Sequence, residues 1–329
     1  MNRMTSQDSA SHAAHVPGRP AGPGWRRTLA RLGLQLLLVS SAGLAAAQQP
    51  ASREDCERNY KPSVGQSGKD VIWVPTPDAL VTRMFEMAKV TPQDTVVDLG
   101  AGDGKIAIAA GKLGANAVGI EYNADMAKLA DCLVQVEGAR GKTRIVQGDI
   151  FKEDFSHASV LTMYLLPELN LCVRHRILAM RPGTRVTAHQ FNMGEWTPDE
   201  TSHVEHRMAH LWIVPARAGG SWSVRGFGTG TARLELAQDF QMIGGELRQG
   251  DARRPLIGAR LHGDELRFAI QDADGVTRNF TGKITGKRLA GDLTTLDGSR
   301  TEVTGTLQSR PRAVAWAEMA PNCKRFYAK

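Results

Sequence analysis

Between Thr95 and Val214 short apolar runs alternate with segments whose apolar positions recur every three or four residues. The runs Thr95–Leu99, Ala117–Glu121, Arg144–Gly148, Ser159–Tyr164, Arg185–Gln190 and Leu211–Val214 read as strands. Lys105–Lys112, Ala124–Glu137 and Glu168–Met180 read as helices between them, with Met126, Leu129, Leu133 and Val134 on one face of the second. An earlier helix is expected after Thr76-Pro77-Asp78, with Thr76 as N-cap and Pro77 in its first turn. Strand–helix alternation predicts an α/β fold, a Rossmann-like, doubly wound, mostly parallel sheet whose ligands sit at the carboxyl ends of the strands. Asp98, Glu121 and Asp149 all fall there.

The pattern changes after Ala216-Arg-Ala-Gly-Gly220. Leu234/Leu236, Leu266/Phe268/Ile270 and Val303/Gly305/Leu307 alternate with polar positions, and Gln249-Gly-Asp, His262-Gly-Asp and Asp297-Gly supply turns. A small antiparallel all-β domain of seven or eight strands, closing into a barrel, is expected, with Trp222 and Phe227 filling it. The expected division is a leader at 1–47, an N-terminal arm at 48–70, an α/β domain at 71–216, a β-domain at 217–309 and a tail at 310–329.

The leader reading rests on Trp25-Arg-Arg-Thr-Leu-Ala-Arg31, the apolar Leu32–Leu44 and the small residues Ala45-Ala-Ala47. This is the order of a signal peptide, and Arg26-Arg27 also resembles a twin-arginine leader, so an exported, periplasmic protein is expected. An uncleaved anchor is the competing reading. Five arginines and one acid of these 47 residues account for much of the net charge of +7; of 41 basic and 34 acidic residues, 36 and 33 lie beyond them. So balanced a remainder gives no electrostatic case for nucleic acid. In an oxidising compartment a Cys56–Cys323 disulfide is expected, with Cys132 and Cys172 as buried apolar residues. No C-x-x-C pair occurs, and His203, Glu205, His206 and His210 fall in a segment read as strands, where residues 203 and 206 face opposite sides, so no metal is expected.

The chemistry concentrates at Thr95-Val-Val-Asp-Leu-Gly-Ala-Gly-Asp-Gly-Lys105. A dinucleotide turn wants G-x-G-x-x-G, but Lys105 stands where the third glycine would fall. Asp98 precedes the first glycine, where a carboxylate opposes a diphosphate and suits an ammonium group. The turn therefore favours an amino-acid-bearing nucleoside, placed against backbone N–H groups, over a nicotinamide cofactor.

Val97-Asp-Leu-Gly-Ala-Gly-Asp-Gly-Lys105 resembles the first motif of the class I S-adenosylmethionine-dependent methyltransferases. Gly119-Ile-Glu121, Gln147-Gly-Asp-Ile150 and Met180-Arg-Pro-Gly-Thr184 resemble the later motifs, in order, so the likeness spans about residues 70–215. It implies S-adenosyl-L-methionine as cofactor, with Gly100, Gly102 and Gly104 allowing close approach of its methionine part. It further implies Asp98 on the amino group, Glu121 on the ribose hydroxyls, Asp149 on the adenine amino group and Ile150 against the ring. Thr76 is placed near the methionine carboxylate, with helix capping as its alternative.

Trp73-Val-Pro-Thr-Pro77 and Tyr164-Leu-Leu-Pro-Glu-Leu-Asn170 are similar to bacterial members related to protein-lysine methyltransferases. The implied acceptor is an amine, a protein lysine, with membrane proteins among the candidate partners. Tyr164 is then the catalytic candidate, orienting the amine, although packing under the next helix is an equal alternative. Strand four lacks the Asn/Asp-Pro-Pro-Tyr/Phe of amino-methylating DNA enzymes. The other class to weigh is an exported, non-catalytic binding protein that acts through its β-domain.

Overall fold

The computed structural model describes residues 52–272, 274–311 and 318–328. The expected leader, residues 1–47, lies outside them.

The α/β part forms one sheet of seven strands. Its strands are β1 (Thr95–Leu99), β2 (Asn116–Glu121), β3 (Thr143–Gln147), β4 (Val160–Met163), β5 (Arg185–His189), β6 (Glu200–Val204) and β7 (Arg207–Ile213). Their order is β3-β2-β1-β4-β5-β7-β6, parallel except for the final hairpin. That hairpin turns at Glu205-His206, both with positive φ, the backbone a tight two-residue turn demands. The sequence direction of the sheet reverses between β1 and β4, and such a switch point opens a crevice beyond the strand ends. Asp98 pairs in register with Gly119 on β2 and Thr162 on β4, so its carboxylate stands at that crevice.

The helices are α1 (Arg53–Glu57), α2 (Asp78–Ala88), α3 (Lys105–Lys112), α4 (Ala124–Val136) and α5 (Pro167–Ile177). α4 is capped by Asn123, whose side chain accepts from Asp125 and Met126, and buries Met126, Leu129, Leu133 and Val134. One local expectation is corrected here. Pro77, not Thr76, is the N-cap of α2, and it makes no side-chain cap. Within the arm expected at 48–70, Ser52 and Asp55 form a capping box for a helix, α1, which packs on α4.

The cysteines also depart from expectation. Cys56 is bonded to Cys132 and Cys172 to Cys323. The expected Cys56–Cys323 pair is therefore excluded, and neither Cys132 nor Cys172 is a free core residue. Burial of small side chains on helices is what a cystine half and a free thiol have in common, so the pattern could not separate them. The second bridge holds the C-terminal α6 (Lys324–Tyr327) against α5. There Phe326 stacks on Phe151 at 4.9 Å, and Tyr327 Oη donates to the Cys172 carbonyl.

The remaining strands are β8 (Gly220–Arg225), β9 (Thr231–Asp239), β10 (Met242–Gln249), β11 (Ala252–Pro255), β12 (Ile257–His262), β13 (Glu265–Gln271), β14 (Thr277–Thr285), β15 (Arg288–Thr294) and β16 (Arg300–Ser309). They follow each other as antiparallel neighbours, β16 returns to β8, and β9 pairs with β10, so the sheet closes. β11 and β12 pair in succession with β10, one wall strand broken at Leu256. The closed ring has eight positions. Alternate residues such as Trp222, Leu234, Leu247, Phe268 and Phe280 fill it, as do Phe227 and Leu293. Trp222 is fully buried and donates to the Ala218 carbonyl.

Where barrel meets α/β sheet, Phe240 stacks on the fully buried Trp196 at 5.9 Å, and Ala216 N–H donates to the Gly263 carbonyl at 2.7 Å. Trp196 also presents its carbonyl to the Trp212 indole. Truncation to alanine removes this shared packing. Trp196→Ala is expected to lower stability by about 3–5 kcal/mol, read as a reduced midpoint in urea unfolding.

Candidate active site

β1 ends in Asp98 and Leu99, and the chain turns through Gly100, Gly102 and Gly104, all with positive φ, before α3 begins. The conformations select glycine, and so does the space. A Cβ on Gly102 would lie 2.7 Å from the Trp73 indole nitrogen, and one on Gly100 would lie 2.9 Å from Leu165. Gly104 stands apart from the cavity, as the N-cap of α3 against Ala130 and Ile145.

Four N–H groups of the turn are already engaged within the fold. Gly100 and Ala101 both donate to the Ile120 carbonyl, Gly102 to Glu121 Oε2 and Gly104 to the Ala101 carbonyl. A tight turn leaning on β2 satisfies these four donors itself. What the glycines supply is clearance.

A cavity of about 240 Å³ opens over this turn. Of the residues expected to bind the cofactor, Thr76, Asp98, Gly100, Gly102, Glu121, Asp149 and Ile150 line it, and so does Tyr164. Lys69, Trp73, Asp103, Tyr122 and Phe191 line it too and were not foreseen. Trp73 and Asp103 lie within quoted motifs that gave them no role, and Lys69 arrives on a segment without periodicity.

Acids dominate the floor. Asp98 is 2% exposed and accepts from Thr162 Oγ1 at 2.7 Å. Burial pushes its carboxyl up to about 7; the Thr162 bond resists this, and Glu121 and Asp103 add to it. Burial likewise raises Glu121, although Gly102 and Asn123 donate backbone N–H groups to its two oxygens at 2.9 and 2.8 Å. Asp103 is raised for the same reason, with Arg53 of α1 4.0 Å away. Three carboxylates held out of water around one turn call for a cation.

At the other end Asp149 differs. Burial opposes its charge, but Lys69 Nζ at 2.8 Å and the Phe151 N–H hold it below the usual carboxylate range. Lys69 also stands 4.2 Å over the Tyr122 ring.

Beyond Asp98, Tyr164 stacks at 3.7 Å on His189, and Phe191 lies 6.3 Å from the tyrosine ring. His189 is fully buried, shares a hydrogen bond of 3.1 Å with Thr76 through Nδ1, and leaves Nε2 without a partner among the described residues. Burial and the nearby Arg207 depress it to about 4, so it is neutral at physiological pH. Thr76 thus ties the start of α2 to β5 rather than capping its helix. Among the residues weighed as metal ligands, His210 is bonded to Thr201 and to the Gln190 carbonyl.

Residues 98–200 match the family model of the ANTKMT methyltransferase domain. The chain is 41% identical over 151 residues to a protein-lysine N-methyltransferase of Saccharolobus islandicus, covering 44% of this chain and 94% of that protein. The chain belongs to the class I S-adenosylmethionine-dependent methyltransferases. A 32% identity over 108 residues relates this methyltransferase to a lysine N-methyltransferase of Rattus norvegicus that is named for an ATP synthase subunit, across 32% of the present chain. It spans about half the length of that relative. A solved RNA methyltransferase from Salinibacter ruber, in complex with S-adenosyl-L-homocysteine, is 41% identical, with 44% of this chain and 95% of that one covered and a TM-score of 0.43.

The methyl donor is S-adenosylmethionine, and the cavity suits it. A ligand carrying an ammonium and a sulfonium group offsets the raised acids at the turn. The crowded Gly102 provides the close approach a Cβ would block. The residues expected at the amino group (Asp98), the ribose (Glu121) and the adenine (Asp149 and Ile150) all line the cavity.

The pH dependence follows in sign. Asp98 sits near 7 in the folded protein against about 3.9 unfolded, so folding favours its protonated form. The stability tied to this is present at acid pH and is lost as pH rises from about 4 through 7. Asp98→Asn keeps the acceptor for Thr162 without the charge. The variant should be more stable than wild type above pH 7 by about 1–4 kcal/mol, converge with it near pH 4, and no longer bind donor. For wild type, calorimetric affinity for S-adenosylhomocysteine should rise by up to about tenfold per pH unit below 7 and then level off.

Proposed function

We propose that this methyltransferase transfers the donor's methyl group to the Nε of a protein lysine, in an exported, periplasmic setting. The observation that carries the acceptor reading is the aromatic wall of Tyr164 and Phe191 beside Asp98, backed by a histidine that burial keeps neutral. A cationic imidazole there would repel both a sulfonium and an incoming ammonium group, whereas neutral rings beside buried acids attract them. The relatives that are named for lysine methylation support the same reading.

A sulfonium methyl group needs no further activation; that is the chemistry the donor supplies when bound. The chain has to exclude water, align the amine and let the ammonium lose its proton. Leu165 and Leu166, next to Tyr164, give the cavity an apolar edge that excludes water. The Tyr164 hydroxyl orients the amine, and its ring is fixed from behind by His189. On this reading the acceptor is a membrane protein. Nucleic acid is not the substrate, and export follows from the leader pattern at residues 1–47.

The alternative, a non-catalytic binding protein acting through its β-domain, requires a donor site without consequence, which the retained acids and glycines argue against. Residues 48–329, incubated with tritiated S-adenosylmethionine and a membrane extract, should yield label that acid hydrolysis recovers as methyl-lysine. Label on nucleic acid, or none on protein, would overturn the lysine reading. Tyr164→Phe should lower kcat by about tenfold to a hundredfold while leaving the calorimetric Kd for S-adenosylhomocysteine within twofold.

A further inference from the structure

The segment between α1 and α2 forms one wall of the donor cavity, with Tyr60 and residues 66–76 facing it. It is a loop bonded mainly to itself: Gly65 N–H donates to the Trp73 carbonyl, Trp73 N–H to the Gln66 carbonyl, and Gly68 N–H to the Val71 carbonyl. Its anchors to the sheet domain are few. On one side the Cys56–Cys132 bridge fixes α1 to α4. On the other, Lys69 reaches Asp149 and the Trp73 indole packs against the turn at Gly102.

Two chemical needs of the site meet this wall. The methionine part of the donor carries a carboxylate, yet the N–H groups of Gly100, Ala101, Gly102 and Gly104 already have acceptors. The Trp73 indole N–H stands at that turn and has no hydrogen-bond partner among the described residues. At the adenosine end, Asp149 has to present a carboxylate in one orientation, and Lys69 pins one of its oxygens. We propose that the 60–76 wall grips the donor at both ends. Trp73 Nε1–H donates to the methionyl carboxylate, Lys69 positions Asp149 for the adenine, and the Cys56–Cys132 bridge keeps the wall in place.

This rests on the cavity being the donor site, and the test separates the two. Calorimetry of the oxidised protein would use S-adenosylhomocysteine and 5′-methylthioadenosine, a nucleoside that lacks the amino-acid part. Trp73→Phe keeps the packing and removes the donor N–H. It should weaken S-adenosylhomocysteine about tenfold and leave methylthioadenosine within twofold. Lys69→Met should weaken both ligands alike by several-fold, and Lys69→Arg should restore them. Cys56→Ser/Cys132→Ser, with Cys172–Cys323 intact and the fold checked by circular dichroism, should weaken both about tenfold or more. Equal weakening of the two ligands by Trp73→Phe would overturn the carboxylate contact. Unchanged binding in Lys69→Met would remove the positioning role, and unchanged binding in the double serine variant would remove the tether. Failure of the wild-type protein to bind S-adenosylhomocysteine would instead overturn the donor site itself.

Discussion

The organisation of the α/β half follows from one electrostatic constraint, a carboxylate kept out of water at the end of β1. Asp98 is fully enclosed, accepts a hydrogen bond from Thr162, and has Glu121 and Asp103 for electrostatic neighbours. Such a cluster is unfavourable in isolation, because desolvation and like charge act in the same direction. It persists where the surrounding structure over-determines it, and here both flanking strands do so. β4 brings the threonine, and β2 brings the glutamate whose oxygens are engaged by the turn and by the start of α4. A ligand that brings an ammonium group to this floor would offset that cost, so residues that destabilise the free fold would favour the complex.

Clearance is the second half of that arrangement. Gly119 on β2 lies under the turn, where a Cβ would come within 2.9 Å of Ala101 and Ile145, and Gly102 faces the Trp73 indole above it. Absence of side chains on both sides lets the turn settle close to the sheet. The acids then line a floor rather than stand on posts.

Much of this could be read in the sequence because it is carried by short-range pattern. Apolar runs alternating with helical periodicity give the parallel sheet, and the acids at strand ends follow from where each run stops. The β-barrel was legible from alternation and from turn residues such as His262-Gly-Asp. What escaped is whatever depends on distant pairing. Lys69 lies on a stretch with no period and Trp73 opens a motif that assigned it no contact, and their meaning appears only when Asp149 and Gly102 come beside them. The disulfide partners escaped for the same reason. Thr76 was half legible: its hydroxyl suggested a helix cap, but its bonding partner, His189, is 113 residues away. His189 itself carried no local sign that it would sit neutral beneath Tyr164.

The cystine connectivity has a consequence for how the chain matures. First cysteine pairs with second and third with fourth, Cys56 with Cys132 and Cys172 with Cys323. On a chain synthesised N-terminus first, each correct partner emerges before a wrong one, apart from the wait of 151 residues for the last thiol. Pairing in order of appearance would give the native connectivity without reshuffling. The last cysteine lies beyond every strand of the barrel, so the second bridge can form only on a chain that already contains both halves.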